Sequence, residues 1–282
     1  MSVEPSAGLI FDVGMHKCED TDYYLAKGFS VVAVEAVPEF CQLAARDRFE
    51  AIASGRLVIE NVAITSQPGP VQFYTSTDSV WGTIRKDWVK RNERMGHQTT
   101  GTISAQGVTL SSLVKKHGIP YYVKIDIEGA DLDALASLAQ CDGTPAYVSI
   151  ESEKVSWRRL LLELRTFHEL GYRRFQIVNQ YWIKDQALPN HSSEGRSVAY
   201  AFSSGSSGAF GADLGGRWMG RVETTLRYAG IFFRYRVNGD RGVIHILPYS
   251  HFWYRVSRRL IGEPCWFDTH ATTKGLIMGP QR

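Results

Sequence analysis

Cysteine is scarce in this chain: four in 282 residues (Cys18, Cys41, Cys141 and Cys265), scattered along its length. That excludes a paired-spacing zinc site and a dense disulfide framework, and a reduced, cytoplasmic compartment is the expectation. Long apolar runs are missing too. None approaches the about 18 residues that a membrane-spanning helix needs. The opening MSVEPSAG has neither a basic n-region nor an apolar h-region, so no signal peptide is expected. No internal repeat is present. The phosphate-cradling pattern GxxxxGK(S/T) is absent, and the first turn, Asp12-Val-Gly-Met-His-Lys-Cys18, has one glycine where GxGxxG has three. A nucleic-acid partner is not expected.

What is present fits one large core with an appendage. Hydrophobic residues make up 44% and charged residues 22%, ordinary values for a globular protein of this length. The net charge of +3 hides an asymmetry. Residues 1–65 carry ten acids and five bases. Residues 215–262 carry nine arginines (Arg217, Arg221, Arg227, Arg234, Arg236, Arg241, Arg255, Arg258 and Arg259), no lysine, and two acids, Glu223 and Asp240. Such a run is either a solvated face or a surface for an anionic substrate.

Strand-like and helix-like stretches alternate from the start. Apolar runs at Gly8–Asp12, Ser30–Glu35, Arg56–Ile64, Tyr121–Ile127, Tyr147–Glu151 and Arg174–Val178 read as strands, with Val71–Thr75 as a short edge piece. Helices are predicted over Thr21–Lys27, from Pro38 to Arg46, and over Leu110–His117, Ala130–Ala139 and Trp157–Leu170. Fully apolar strands in this rhythm indicate a parallel sheet covered on both faces. After about residue 180 the rhythm breaks. SSGSSGAFG (203–211) is a flexible loop, Trp218 to Phe233 and Phe252 to Leu260 carry helical spacing, and CWFDTH (265–270) is a candidate last strand. The expected division is a core over 1–180, a cover over 181–262, and a last strand and tail over 263–282.

Several apolar runs end in an acid: GLIFD at Asp12, VVAVE at Glu35, YVKID at Asp126 and YVSIE at Glu151. In a doubly wound sheet ligands bind outside the carboxyl ends of the strands, so these acids would gather along one rim. A dinucleotide brings an anionic pyrophosphate, which wants backbone amides at a helix N-terminus. S-adenosylmethionine brings a sulfonium, an ammonium and a ribose diol, and no phosphate. Glu35, ending the second strand, is the expected acceptor for both ribose hydroxyls.

The stretch FDVGMHKCEDTDYYLAKGFSVVAVEAVPEF, then ENVAI, YVKIDIEGADLDAL and YVSIE, resembles the FkbM-type methyltransferases over roughly residues 8–152. The SSGSSGAFGADLGGRW and WFDTHA segments are similar to one branch of that family. The resemblance implies a class I methyltransferase, an α/β fold with a Rossmann-like, doubly wound seven-stranded sheet, mostly parallel with an antiparallel last strand. It also implies S-adenosyl-L-methionine as cofactor and methylation of hydroxyls on sugars or natural products. By position it implies that Asp12, Gly14, Met15 and His16 form the first cofactor loop. Asp20 and Thr21 then start the helix near the methionine moiety, Glu35 and Ala36 hold the ribose, Asn61 and Ala63 lie near the adenine, and Asp126 and Glu128 follow the fourth strand. Cys18 stands where relatives often have glycine.

Methyl transfer to a hydroxyl needs in-line positioning and benefits from a general base. By strand alternation Lys124, Asp126 and Glu128 share one face. Asp126, Glu128 and Glu151 are therefore the candidate base and acceptor-orienting residues. Asp126 could instead cap a helix or pair with Lys124, and Glu151 could be a polar strand exit beside Glu153 and Lys154. His16 is read as offering its backbone. Asp268 and His270 are read as structural, because the far end of an antiparallel last strand lies away from the rim. Trp81, Trp218 and Tyr24 line a pocket or, more often for such aromatics, fill the core. The acids could hold a magnesium ion, but nothing in their spacing demands one. The reading is a small-molecule O-methyltransferase without a bound metal, its acceptor carrying a carboxylate, phosphate or sulfate held by arginines such as Arg217 and Arg221. The alternatives are a nicotinamide-dependent oxidoreductase and a non-catalytic scaffold that binds an anionic partner.

Overall fold

The computed structural model describes residues 5–153, 156–203, 205–239, 242–246, 250–262 and 265–275. Ser204, Lys154, Asp240, Arg241 and the tail beyond 275 lie outside them. Seven strands form the central sheet: β1 (Ser6–Val13), β2 (Ser30–Val34), β3 (Leu57–Glu60), β7 (Pro120–Ile125), β8 (Tyr147–Glu151), β9 (Arg174–Asn179) and β10 (Phe267–Thr272). Their order is β3-β2-β1-β7-β8-β10-β9. Every neighbouring pair is parallel except those of β10, which runs antiparallel to both β8 and β9.

The strands are apolar on both sides, and each side has its own core. Phe11, Val13, Val32, Val123, Val148 and Ile150 pack into one cluster, while Ile10, Val31, Ala33, Leu57, Tyr122 and Tyr147 pack into the other. Helices α1 (Thr21–Ala26), α2 (Pro38–Asp47), α3 (Phe49–Ala53), α5 (Leu110–His117), α6 (Asp131–Ser137) and α7 (Trp157–Glu169) supply the crossovers. Local chemistry sets their ends. Pro38 occupies the first turn of α2, Thr109 accepts the Ser112 amide at the start of α5, and Ser156 accepts the Arg159 amide at the start of α7.

Three expectations are corrected. The stretch Arg56–Ile64 is not one strand: it breaks at Asn61 into β3 and β4 (Ala63–Ile64). Asn61 donates its side-chain amide to the carbonyls of Glu35 and Ala36, which turns the chain out of the main sheet. Residues 69–76 are not an edge piece of that sheet either. They form β5 (Gly69–Ser76) of a second, three-stranded sheet, β4-β6-β5, completed by β6 (Thr99–Val108) and joined by α4 (Lys86–Arg94). β6 reads TTGTISAQGV and is mostly exposed, so it lacks the alternating apolar signal of a strand. Finally, β7 stops at Ile125. Asp126 to Glu128 belong to a tight turn in which Asp131 accepts the amides of Ile127 and Gly129, so strand alternation does not place Asp126 and Glu128.

Beyond β9 the chain crosses the sheet in short turns with little regular structure, yet it is anchored in the core. Phe210 stacks on Tyr122 with ring centroids 4.5 Å apart, and Lys27 makes a 2.8 Å ion pair with Asp213, both side chains buried. Helices α8 (Arg221–Asn238) and α9 (Ser250–Ile261) follow, α8 packing on α7 through Tyr228 and Ile231 against Leu160 and Leu164. No described helix is long and apolar enough to cross a membrane.

Candidate functional site

A cavity of about 730 Å³ opens along the carboxyl edge of the parallel strands, ample for a nucleoside-sized ligand and part of a second molecule. Its floor begins at the turn after β1. Gly14 has φ +90°, and a Cβ there would lie 1.9 Å from the carbonyl oxygen of Asp126, so only glycine fits. The next residues take up the strain: His16 (φ 48°) and Cys18 (φ 70°) are left-handed without being glycine. Cys18 keeps the turn despite its side chain, which is wholly buried and whose thiol is pushed up to about 12 by burial.

Under this turn sits a buried charge cluster. Lys124 Nζ lies 3.4 Å from Asp12, 3.5 Å from Asp20 and 3.7 Å from Asp126, and donates to the Gly14 carbonyl at 3.0 Å. Burial alone would lower the lysine pKa, but the carboxylates of Asp12, Asp126 and Asp20 outweigh it and raise it well above its usual value. Lys124 is the compensation that a rim of like charges requires. Asp12 also accepts from Thr21 Oγ1 at 2.6 Å. Both residues are fully buried behind the cavity wall, so their contribution is support rather than contact. Asp20 does reach the cavity. Its carboxylate accepts the Ser207 amide from the far segment, and burial raises its pKa to about 6.

At the end of β2, Glu35 is nearly buried and held rigidly: Oε2 accepts the His16 amide at 2.9 Å and Oε1 the Val37 amide at 2.8 Å. Each oxygen keeps a second lone pair for a hydroxyl donor. Burial pushes the Glu35 pKa up against these two bonds. His16 thus offers its backbone to Glu35, while its ring bridges Glu19 at 3.0 Å and Ser79 at 2.8 Å. Beside Glu35, Ala36, Val37, Phe40, Val62 and Ala63 make an apolar wall. Asn61 is not part of it; it braces the Glu35–Ala36 backbone from outside.

On the other side, Asp126, Glu128 and Glu151 all line the cavity, and so does Asp268. The reading of Asp268 as remote from the rim is overturned. β10 runs antiparallel, so its first residues, not its last, meet the carboxyl ends of the parallel strands, and Asp268 pairs in register with Glu151. Burial, then the nearby charges of Asp126 and Glu151, raise the Asp268 pKa well above the carboxylate range. The antiparallel direction of the last strand is as expected; Asp268 reaches the rim because it stands at the start of β10 and not at its far end. His270 lies deeper, buried and off the cavity, its pKa pushed down to about 3 by burial, a neutral core histidine.

The cover comes from two segments. Residues 180–239 contribute Gln180, Tyr181, Lys184, Ser206, Ser207 and Tyr235, and the insertion before β7 contributes Phe73, Val80, Trp81, Ile84, Arg91 and Met95. Of the second contribution, only Trp81 is a candidate that the sequence offered. Trp81 lines the cavity, whereas Tyr24 and Trp218 pack into the core. Of the C-terminal arginines, none that is described lines the cavity; Arg217 pairs with Glu223 on the surface. The basis for an acceptor-binding role of Arg217 and Arg221 is thereby removed. Among the described residues no cluster of three or more His, Cys, Asp or Glu side chains has the arrangement of a metal site.

The profile of the methyltransferase FkbM domain matches residues 12–174, more than half of the sequence. The chain belongs to the FkbM methyltransferase family. It is an S-adenosylmethionine-dependent methyltransferase, and the nicotinamide alternative falls. No protein of curated function matches it. Among solved structures it is similar to an FkbM methyltransferase from Methylobacillus flagellatus (15% identity, TM-score 0.39), over 62% of this chain and 44% of that one. The chain thus spans less than half the length of that relative. It is also similar to a putative sarcosine dimethylglycine methyltransferase from Galdieria sulphuraria (8% identity, TM-score 0.41, 97% and 80% covered). A third is a geranyl diphosphate methyltransferase in complex with SAM (9% identity, TM-score 0.37, 95% and 79% covered).

The donor set fits the family's cofactor. The wall beside Glu35 suits a purine, the fixed Glu35 carboxylate suits a ribose diol, and the acids around Lys124 suit a cationic methionine moiety.

Proposed function

We propose that this FkbM methyltransferase methylates a hydroxyl of a small acceptor, a sugar or natural product carrying an anionic group. When bound, S-adenosylmethionine supplies an electrophilic methyl carbon. Gly14, Met15, His16, Asp20, Glu35, Ala36, Ala63 and Asp126 form the cofactor wall in this reading, with Asp12, Thr21 and Asn61 bracing it. Residues 1–180 and the last strand act as the core, and 181–262 as part of the cover.

The observation that carries the reading is the pair Glu151 and Asp268, in register on neighbouring strands and lining the same cavity as Asp126 at the end of the cofactor wall. A hydroxyl nucleophile gains from a carboxylate that takes its proton. Asp268, which lines the cavity in register with Glu151, is assigned that part. Glu151 and Asp126 orient the hydroxyl, and Glu128 closes the turn, its carbonyl accepting from Thr83 Oγ1 at 2.7 Å.

The anionic group is assigned to Arg91. This residue lines both the main cavity and a side pocket of about 230 Å³ that also includes Glu151. Its guanidinium lies 4.2 Å from the Trp88 ring and 5.5 Å from the Trp81 ring. Its Nη1 is buried with no hydrogen-bond partner among the described residues. A guanidinium held between indoles with a free donor is poised for a carboxylate, phosphate or sulfate.

The test is turnover against a panel of hydroxylated acceptors, read as S-adenosylhomocysteine release. Asp268→Asn is expected to lower kcat by about 10²-fold or more while keeping the melting-temperature rise caused by S-adenosylhomocysteine. Arg91→Met is expected to raise KM for anionic acceptors alone. Full activity of Asp268→Asn would remove the base, and an unaltered KM in Arg91→Met would remove the anionic acceptor.

A further inference from the structure

The helices after β9 leave apolar side chains on the outside of the molecule, edged with arginine. α8 buries Thr224, Tyr228 and Ile231 against the core. On its opposite side, at the i, i+4, i+7, i+11 spacing of one helix face, stand Val222, Leu226, Ala229 and Phe233, all exposed. At about 100° per residue the two stripes lie roughly half a turn apart. Arg227 and Arg234 flank the outer stripe on one side, Arg221 and Arg236 on the other, and all four are exposed. α9 repeats the arrangement, with exposed Phe252, Trp253 and Leu260 beside exposed Arg255, Arg258 and Arg259. The short turn Val243–Ile246 touches both helices and leaves Ile246 82% exposed.

Contiguous elements with outward apolar stripes mark an interaction surface, and the charge around them selects its occupant. A second copy of this chain would set arginine against arginine across the interface. A nucleic acid would engage the guanidinium groups and the rings, but has no place for Val222, Leu226, Ile246 and Leu260. An anionic bilayer takes both. Aliphatic and aromatic side chains sink into the boundary between headgroups and acyl chains, and arginines meet the lipid phosphates.

We propose that α8, α9 and the turn between them dock this enzyme in the plane of an anionic phospholipid membrane. Tyr235 and Gly239, at the C-terminal end of α8, also line the cavity, so docking sets the cavity mouth beside the lipid surface. The proposal is independent of the acceptor assignment, because binding is measured without cofactor or acceptor.

The full chain is sedimented with vesicles of phosphatidylcholine alone and of phosphatidylcholine with phosphatidylglycerol. It is expected to pellet with the anionic vesicles only, and less as salt is raised. The double variant Leu226→Ser/Phe233→Ser leaves net charge unchanged and is expected to lower partitioning about tenfold. Arg227→Gln/Arg234→Gln is expected to lower it by about the same factor. All four side chains are exposed, so melting temperature and the shift with S-adenosylhomocysteine serve as controls of folding. Three results would overturn the proposal. These are no pelleting with anionic vesicles, unchanged pelleting of the apolar variant, or conversion by that variant of a dimer in solution into a monomer.

Discussion

On the floor of the cavity, Lys124, Asp12, Asp20 and Glu35 are almost wholly removed from water, each tied to at least one other polar group. On the cover, Val80, Tyr181 and Met95 remain exposed while lining the same space, and Trp81 and Arg91 are half-buried. The floor is a preorganised polar surface in which Lys124 compensates Asp12 and Asp20, and backbone amides aim the carboxylates of Asp20 and Glu35. Such a surface recognises one ligand and tolerates little change. The cover mixes apolar and aromatic side chains with a few polar ones, and two buried donors in it, Arg91 Nη1 and Gln180 Nε2, have no hydrogen-bond partner among the described residues. A surface of that kind adapts to acceptors through shape, and its variation alters specificity more than stability.

That contrast can be broken by substitutions, strongest first. Gly14→Ala places a Cβ 1.9 Å from the Asp126 carbonyl oxygen at a positive φ. It is expected to cost about 4 kcal/mol or to prevent folding, measured by denaturant unfolding; a mild effect would mean that the turn is not rigid. Lys124→Met leaves Asp12 and Asp20 buried without their cation, a loss of about 3 kcal/mol. If Lys124→Met were as stable as the parent, the floor would not depend on its lysine. Glu35→Ala is expected to abolish the melting-temperature rise with S-adenosylhomocysteine at little cost in stability, and an unchanged rise would remove Glu35 from the ribose site. The smallest change is expected on the outside: charge reversal of Arg217 and Arg221 should leave acceptor KM within about twofold, since neither lines the cavity.

One prediction concerns pH. Glu163, a buried residue on the wall of the side pocket, accepts from the Glu153 amide and from Thr269 Oγ1, and burial raises its pKa to about 8 from 4.5. Between those values the folded chain holds a proton that the unfolded chain has released, so stability falls as pH rises from about 5 to about 8. Glu163→Gln is expected to flatten that slope in melting temperature. A slope unaltered by the substitution would assign it to other groups, Asp131 (raised to about 7) first.

Much of this was readable in the letters. Asp12, Glu35, Asp126 and Glu151 end apolar runs, and a parallel sheet has only one edge where such ends can meet. The reading failed where the signal was not local. β6 is polar and mostly exposed, so the second sheet carried little signal in the sequence. The expectation for Asp268 fails because the boundary of β10 puts that residue at the strand's start, and the expectation for Arg217 and Arg221 fails because composition carries no information on facing.

Periodicity and the acids at strand ends were enough to specify a doubly wound sheet and the edge where its acids gather, because these follow from chain direction and side-chain alternation alone. The counter-charge of Lys124, the entry of Asp268 onto the rim and the outward turn of the α8 stripe arose only in three dimensions. Each depends on contacts between residues distant in the chain, or on which face a neighbouring element covers, and neither is encoded in any single stretch of sequence.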